Sequence, residues 1–315
     1  EREPALEMKA HYLLFKYLKR KRRFHKAMVE IDNAITQARV FKDRKEESWF
    51  LYTKARALRK HGLSKQSISP YKEALALYTD LHDSLQISRC YNELGIAHKV
   101  LGQYTEARAF YKLALEVSSS MNDSSRSANA LNNIGNVLRS VGYIDSAQNY
   151  YYQALEIHEA LGDTKMMTNE LNNLGITFNT IGIYDHALDY YRRCLFLREL
   201  SNDTFKSVSV IMNMAETMSE LPMMDSSLFY TNMVLSLAKR RNLPEMEAMA
   251  HEALGQNEYN EADYDSARWH YQQANDIRVK WDNKLFLIAN IHKLGKVDLS
   301  QKRYRSADSS FKVVL

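Results

Sequence analysis

Asn129, Asn132, Asn136 and Arg139 follow one another at spacings of three, four and three, which on a helix sets them in one stripe. The stretch forty residues on offers Asn169, Asn172 and Asn179; Asn133 and Asn173 lie beside the two stripes, and Asn92 one step upstream of Asn132. An asparagine side chain carries a donor and an acceptor together, matching the C=O and N–H of one peptide unit. It costs a helix about 0.7 kcal/mol relative to alanine, and Glu, Lys or Gln would hydrate a free face more cheaply. The choice of residue points to recognition of a peptide or protein partner. A solvated face that merely has to be polar is the alternative. Arg56, Arg59, Arg89, Lys99 and Arg139 suit charge-assisted bonds to a carboxylate, from a chain terminus or from Asp and Glu side chains. The expected ligand is therefore acidic. Trp49 and Tyr52 lie upstream on the same face, where an apolar pocket and ordinary packing explain them equally well.

The elements that carry these residues are visible as a repeat. Stepping by forty from Gly95 reaches Gly135, Gly175, Ala215, Gly255 and Gly295 without insertion or deletion. A small track runs Ala107, Ala147, Ala187, Ser227, Ala267 and Ala307, and a large one Tyr111, Tyr151, Tyr191, Thr231, Tyr271 and Phe311. Self-similarity at a fixed period is the signature of a solenoid. Within one period Leu131, Ile134 and Leu138 share a helical face, as do Ala147, Tyr151 and Ala154, so each period holds two helices. The asparagine stripe is expected roughly opposite Leu131, Ile134 and Leu138, facing away from the packing side. Gly102, Gly142 and Gly182 mark the turns inside the repeats; Asp83, Asp123, Asp163 and Asp203 precede the next helix as N-caps. The predicted fold is all-α, a solenoid of about eight helix pairs, with repeats near 5–44, 45–84, 85–124, 125–164, 165–204, 205–244, 245–284 and a truncated 285–315.

The pattern Tyr91, Leu94, Gly95, Tyr104, Ala107, Tyr111, Ala114 resembles the tetratricopeptide repeat, and the resemblance spans essentially the whole chain. It implies a right-handed α–α superhelix whose first helices line the concave surface, which would put the asparagines on the inside. The forty-residue period, longer than the family's usual 34, is similar to that of bacterial signalling proteins and peptide-pheromone receptors. The resemblance implies a non-catalytic peptide- or protein-binding module, the sensory part of a larger bacterial regulator with a histidine-kinase or helix-turn-helix output. A cytoplasmic pheromone receptor acting as a response-regulator phosphatase, and a passive assembly scaffold, are the alternatives.

Departures from the repeat are informative. The first copy has Phe15 and the second Ala55 where glycine recurs, so the start is expected to act as a cap. The fifth copy has Ala215, Thr231, Pro222 at a turn and a concentration of methionines, read as a softened core in preference to an adaptable pocket. Pro70 falls inside a second helix, where a late helix start capped by Ser69 is favoured over a kink. His98 is expected at a helix interface, and Cys194 as a small core residue.

Composition excludes other classes. The chain has 315 residues, 45% hydrophobic and 26% charged, with 10 Gly and 4 Pro, as in a helix-rich globular protein. Cys90 and Cys194 belong to no metal-binding or redox motif. No nucleotide, hydrolase or metalloprotease motif is present, so neither enzyme activity, cofactor nor metal is expected. The net charge is +5, and Lys16–Arg23 reads KYLKRKRR; a solvated inter-helix turn is expected there, without direct nucleic-acid binding. The chain begins without methionine and ends inside an apolar-periodic segment, as expected of a fragment. A membrane anchor is then expected, if anywhere, outside it, with the segment itself cytoplasmic or periplasmic.

Overall fold

The computed structural model describes residues 2–200, 204–221, 223–280 and 284–314. The chain divides into two compact units, Glu1–Gly162 and Asp163–Leu315. The first holds α1 (Arg2–Arg20), α2 (Phe24–Val40), α3 (Arg44–Lys60), α4 (Ser64–Asp80), α5 (Ser84–Val100), α6 (Tyr104–Ser120), α7 (Ser124–Ser140) and α8 (Ile144–Ala160). The second holds α9 (Thr164–Thr180), α10 (Tyr184–Leu200), α11 (Thr204–Ser219), α12 (Met224–Arg241), α13 (Pro244–Asn260), α14 (Tyr264–Lys280), α15 (Lys284–Ser300) and α16 (Tyr304–Val314). Described residues outside these helices are turns, and the chain is all-helical as predicted.

Three-residue turns keep the forty-residue period exact. Gly142, at φ 87°, donates its N–H to Arg139 O at 3.1 Å, and Tyr143 N–H reaches Leu138 O at 2.9 Å. This left-handed step terminates α7 and satisfies carbonyls its last turn leaves open. Between repeats the same left-handed position is taken by Asn122, at φ 55°, one of the few non-glycine types that tolerate it. The next residue starts the following helix: Asp83, Asp123 and Asp163 accept from the backbone N–H of Gln86, Arg126 and Met166. Asp43 caps α3 on Glu46 N–H in the same way. Asp203 and Pro222 lie outside the described residues.

The two tracks of small and large residues meet in the core. A Cβ placed on Gly135 would stand 2.6 Å from Cε1 of Tyr151, and one on Gly95 would stand 2.6 Å from Cε1 of Tyr111. These tyrosine rings are fully buried, so the glycine is demanded by close approach of the paired helix. The fifth copy now has a physical reason: Ala215 supplies the methyl and Thr231, also fully buried, supplies the space. In the first copy Phe15 and Ile31 of α2, both buried, belong to one core cluster in place of the glycine and tyrosine. Met214 and Met218 are buried in the core, whereas Met233 is exposed.

Pro70 corrects one expectation. Helix α4 begins at Ser64 and runs through Pro70 without a late start. Ser69 caps nothing; its Oγ donates to Glu73 Oε1 at 3.1 Å. The first turn is retained because it is part of the packing: Ser64 and Ser67 are buried together with Pro70, although the proline forfeits a backbone hydrogen bond.

Candidate functional site: the polar face of the first helices

In the first unit α3 touches α5, and the odd-numbered helices present their polar residues along that side. A cleft of about 180 Å³ between α5 and α7 gathers Arg89, Asn92, Asn129 and Asn133, with Tyr52 and Glu93 on its border. About two helical turns further, Lys99 is held below the ordinary lysine value, first by burial and then by the charge of Arg139. Two like charges that feel one another make an electropositive spot suited to an anion.

The asparagines are not a free face. Asn133 Nδ2 donates to Asn92 Oδ1 at 2.8 Å, and in the second unit Asn213 Nδ2 donates to Asn172 Oδ1 at 3.1 Å. Asn136 Oδ1 accepts from the hydroxyl of Tyr151 at 3.0 Å. Asn179 Oδ1 accepts from Thr217 Oγ1 at 3.0 Å. Asn129 Nδ2 is bonded to Ser125 O of its own helix at 2.8 Å, and Asn169 Nδ2 lies 3.8 Å from Met166 Sδ. Asn132, expected on the outward stripe, is buried at 9% exposure, and Asn173 is half-buried. The expectation of a stripe facing away from all packing is therefore corrected. Consecutive first helices stand close enough for one repeat's side chains to cover those of the next, and buried amides then need partners.

The predicted cations separate into two kinds. Arg59 is already used: its Nε is 2.6 Å from Glu93 Oε2, which also accepts the Tyr71 hydroxyl at 3.0 Å. Arg56 and Arg89 instead line a cavity of about 610 Å³ between α1, α3 and α5, walled by Trp49 and Tyr52. Sequence reasoning missed Lys16, Lys19 and Lys60, which line the same cavity. The KYLKRKRR run corrects accordingly: Lys16–Arg20 belongs to α1, and only the last three residues form the turn. The signal was present in the three-residue spacing of Lys16 and Lys19, which puts both on one helical face.

In the second unit the odd-helix face differs in sign. Glu216, Glu220 and Glu252 surround a cavity of about 440 Å³ with Lys293 as the one cation among the described lining residues and Met212 and Met249 on its wall. Burial raises the Glu216 carboxyl, partly offset by Lys293. His98 sits at a helix interface as expected, with Nδ1 2.7 Å from Gln103 Oε1 and its ring stacked on Phe110. Cys194 is a buried core residue whose Sγ contacts Thr168 O at 3.1 Å. Cys90 is likewise buried and free. Among the described residues no helix is long and apolar enough to cross a membrane, and no group of His, Cys, Asp and Glu could hold a metal ion.

Helix pairs of constant period, locked by glycine-to-tyrosine contacts and carrying polar clefts on the first helices, define a helical-repeat protein. Residues 46–120 and 126–199 match the family model of the tetratricopeptide repeat, and these residues are tetratricopeptide repeats. No curated protein sequence matches it. Among solved structures it resembles the apo form of the quorum sensor NprR from B. thuringiensis, with 17% identity over 98% of this chain and 86% of that one at a TM-score of 0.73. The aspartyl phosphate phosphatase F from Bacillus subtilis shares 16% identity over 100% of this chain and 83% of its own, at a TM-score of 0.71. The apo form of RapI shares 18% over 88% of this chain and 99% of its own, also at a TM-score of 0.71. At such identities the likeness is one of fold.

Proposed function

We propose that the chain is a non-catalytic peptide- or protein-recognition module, the sensory or partner-binding part of a bacterial regulator. The observation that carries this reading is the cleft holding Arg89, Asn92, Asn129 and Asn133 beside the Lys99 and Arg139 pair. Amides there retain acceptor capacity for a peptide backbone, and the cations suit a carboxylate. In the second unit Asn169, Asn172, Asn173 and Asn179 are proposed as a surface of the same kind. The acidic character of the ligand is supported on the first unit only, because Glu216 and Glu220 line the cavity of the second, where Glu252 is already paired with Arg278. The fold likeness to a quorum sensor favours a peptide signal over a passive scaffold.

The reading is tested by titrating short acidic peptides, with free and amidated C-termini, into the chain by calorimetry. Lys99→Gln with Arg139→Gln should weaken a binding peptide about tenfold or more, and added salt should weaken it further. Unchanged affinity in the natively folded double variant would remove the site.

A further inference from the structure

We propose that the cavity between α1, α3 and α5 is a second binding site, which takes a small molecule joining clustered phosphates to a planar ring: a nucleoside di- or triphosphate. Arg89 and Tyr52 border both this cavity and the neighbouring asparagine cleft, but the inference does not rest on the peptide reading, whose Lys99 and Arg139 lie outside the cavity.

The charge count comes first. Lys16 and Lys19 of α1, Arg56 and Lys60 of α3 and Arg89 of α5 line the cavity, and no acidic side chain does. None of the five forms an ion pair among the described residues; Arg89 makes only a 3.3 Å contact with the neutral Gln86 Oε1. The cations feel one another: the Lys19 amine is held below its ordinary value first by burial, then by Lys60, Arg56 and Lys16. A single carboxylate would neutralise one of these charges and leave the rest opposed. A di- or triphosphate carries about three to four negative charges and matches the cluster.

The walls decide what the phosphates are attached to. Tyr12, Trp49 and Tyr52 line the cavity half-buried, and Tyr12 meets Trp49 edge-on at 4.5 Å between ring centres. Aromatic surface of this kind stacks on any base, whatever its sequence identity. The rings also place the ammonium groups: Lys16 Nζ lies 5.5 Å from the centre of Tyr12 and Lys19 Nζ lies 5.4 Å from the centre of Phe15, within cation–π range. Thr53 and Gln86 on the lining add neutral donors and acceptors suited to a sugar or a base edge. The volume of about 610 Å³ falls in the range of small-ligand pockets, roughly 300–1,000 Å³. A nucleic-acid strand would call for a basic stripe along the surface, whereas these cations converge on one cavity.

The test uses the full chain, with ATP, inorganic tripolyphosphate, adenosine and a single-stranded oligonucleotide as probes, followed by calorimetry without added metal. ATP should bind saturably, with tripolyphosphate and adenosine each about tenfold weaker or more. Lys16→Gln with Lys60→Gln, both exposed side chains, should weaken ATP by about tenfold or more, while Lys99→Gln with Arg139→Gln leaves it within about twofold. Trp49→Leu should weaken ATP and leave tripolyphosphate unchanged. Circular dichroism of each variant separates lost binding from lost fold. The proposal is overturned by an absence of saturable ATP binding to the folded chain, by tripolyphosphate binding as tightly as ATP, or by preferential binding of the oligonucleotide.

Discussion

Asn133 Nδ2 donates to Asn92 Oδ1 at 2.8 Å, across 41 residues of sequence. Asn213 and Asn172 repeat the arrangement at 3.1 Å in the second unit, again 41 residues apart. The amide at one repeat position is thus answered by an amide one residue further along in the next repeat. The asparagines that cost helix propensity return some of that free energy as rungs between first helices.

This pairing makes a stability prediction opposite to that for exposed asparagines. Asn172→Ala and Asn133→Ala should each destabilise their unit by about 1 kcal/mol, since a half-buried amide loses its partner. Urea denaturation of the single and double variants measures it. For Asn92 and Asn133 the two losses should be clearly less than additive; a stability equal to or above that of the parent would mean the rung contributes nothing.

The Gly135 and Tyr151 contact yields a second expectation. Gly135→Ala should cost about 1–3 kcal/mol through overpacking, although alanine is the better helix former by about 1 kcal/mol. Adding Tyr151→Thr recreates the pair seen at Ala215 and Thr231. The coupling in the double variant should be favourable by at least about 0.5 kcal/mol, even though the lost tyrosine burial keeps it below the parent. Additive losses would show that the ring and the glycine do not compete for space.

Pro70 is a third point of leverage. Pro70→Ala restores a donor to the interior of α4, where proline costs about 3 kcal/mol relative to alanine, and gives up part of a buried side chain. The net result should be a gain of about 1–2 kcal/mol, read as a higher urea midpoint at unchanged slope. A loss would mean that Pro70 packing outweighs its backbone penalty.

A pH dependence follows from the cluster where His251 Nδ1 meets His270 Nδ1 at 2.8 Å and His270 Nε2 lies 3.3 Å from Glu258 Oε1. Burial, followed by His270 and Lys239, lowers His251 to about 4. Burial, followed by Asp263 and Glu261, raises Glu258 to about 7. A histidine kept neutral by the fold contributes stability that is present above its ordinary value near 6.5 and lost as pH falls towards about 4. A carboxyl kept protonated contributes stability that is present below its ordinary 4.5 and lost as pH rises through about 7. Stability profiles of His251→Phe and Glu258→Gln against the parent should diverge in these opposite directions. Proton NMR should show no His251 titration near neutrality; a midpoint near 6.5 would contradict the geometry.

Much of this was legible in the residue order because it depends on local rules. Asp123 and Gly142 act within one turn of chain, and the forty-residue recurrence of Gly135 and Tyr151 states that two faces meet. Asn133 was legible as unusual but not as paired, because its partner lies in the neighbouring repeat, where only the packing of first helices brings it within reach. Arg59 looked equivalent to Arg56 for the same reason; Glu93 claims one and leaves the other. Lys16 and Lys60, 44 residues apart in sequence, share no motif.

The sequence by itself determined the helix pairs and their period, since hydrophobic spacing, caps and turn residues act over short distances and recur from repeat to repeat. Only the tertiary structure decided which polar side chains are consumed and which remain for a ligand. That depends on through-space distances between separate helices: 2.8 Å leaves Asn92 bonded within the fold, while five cations converge on a cavity without an acidic neighbour on its lining.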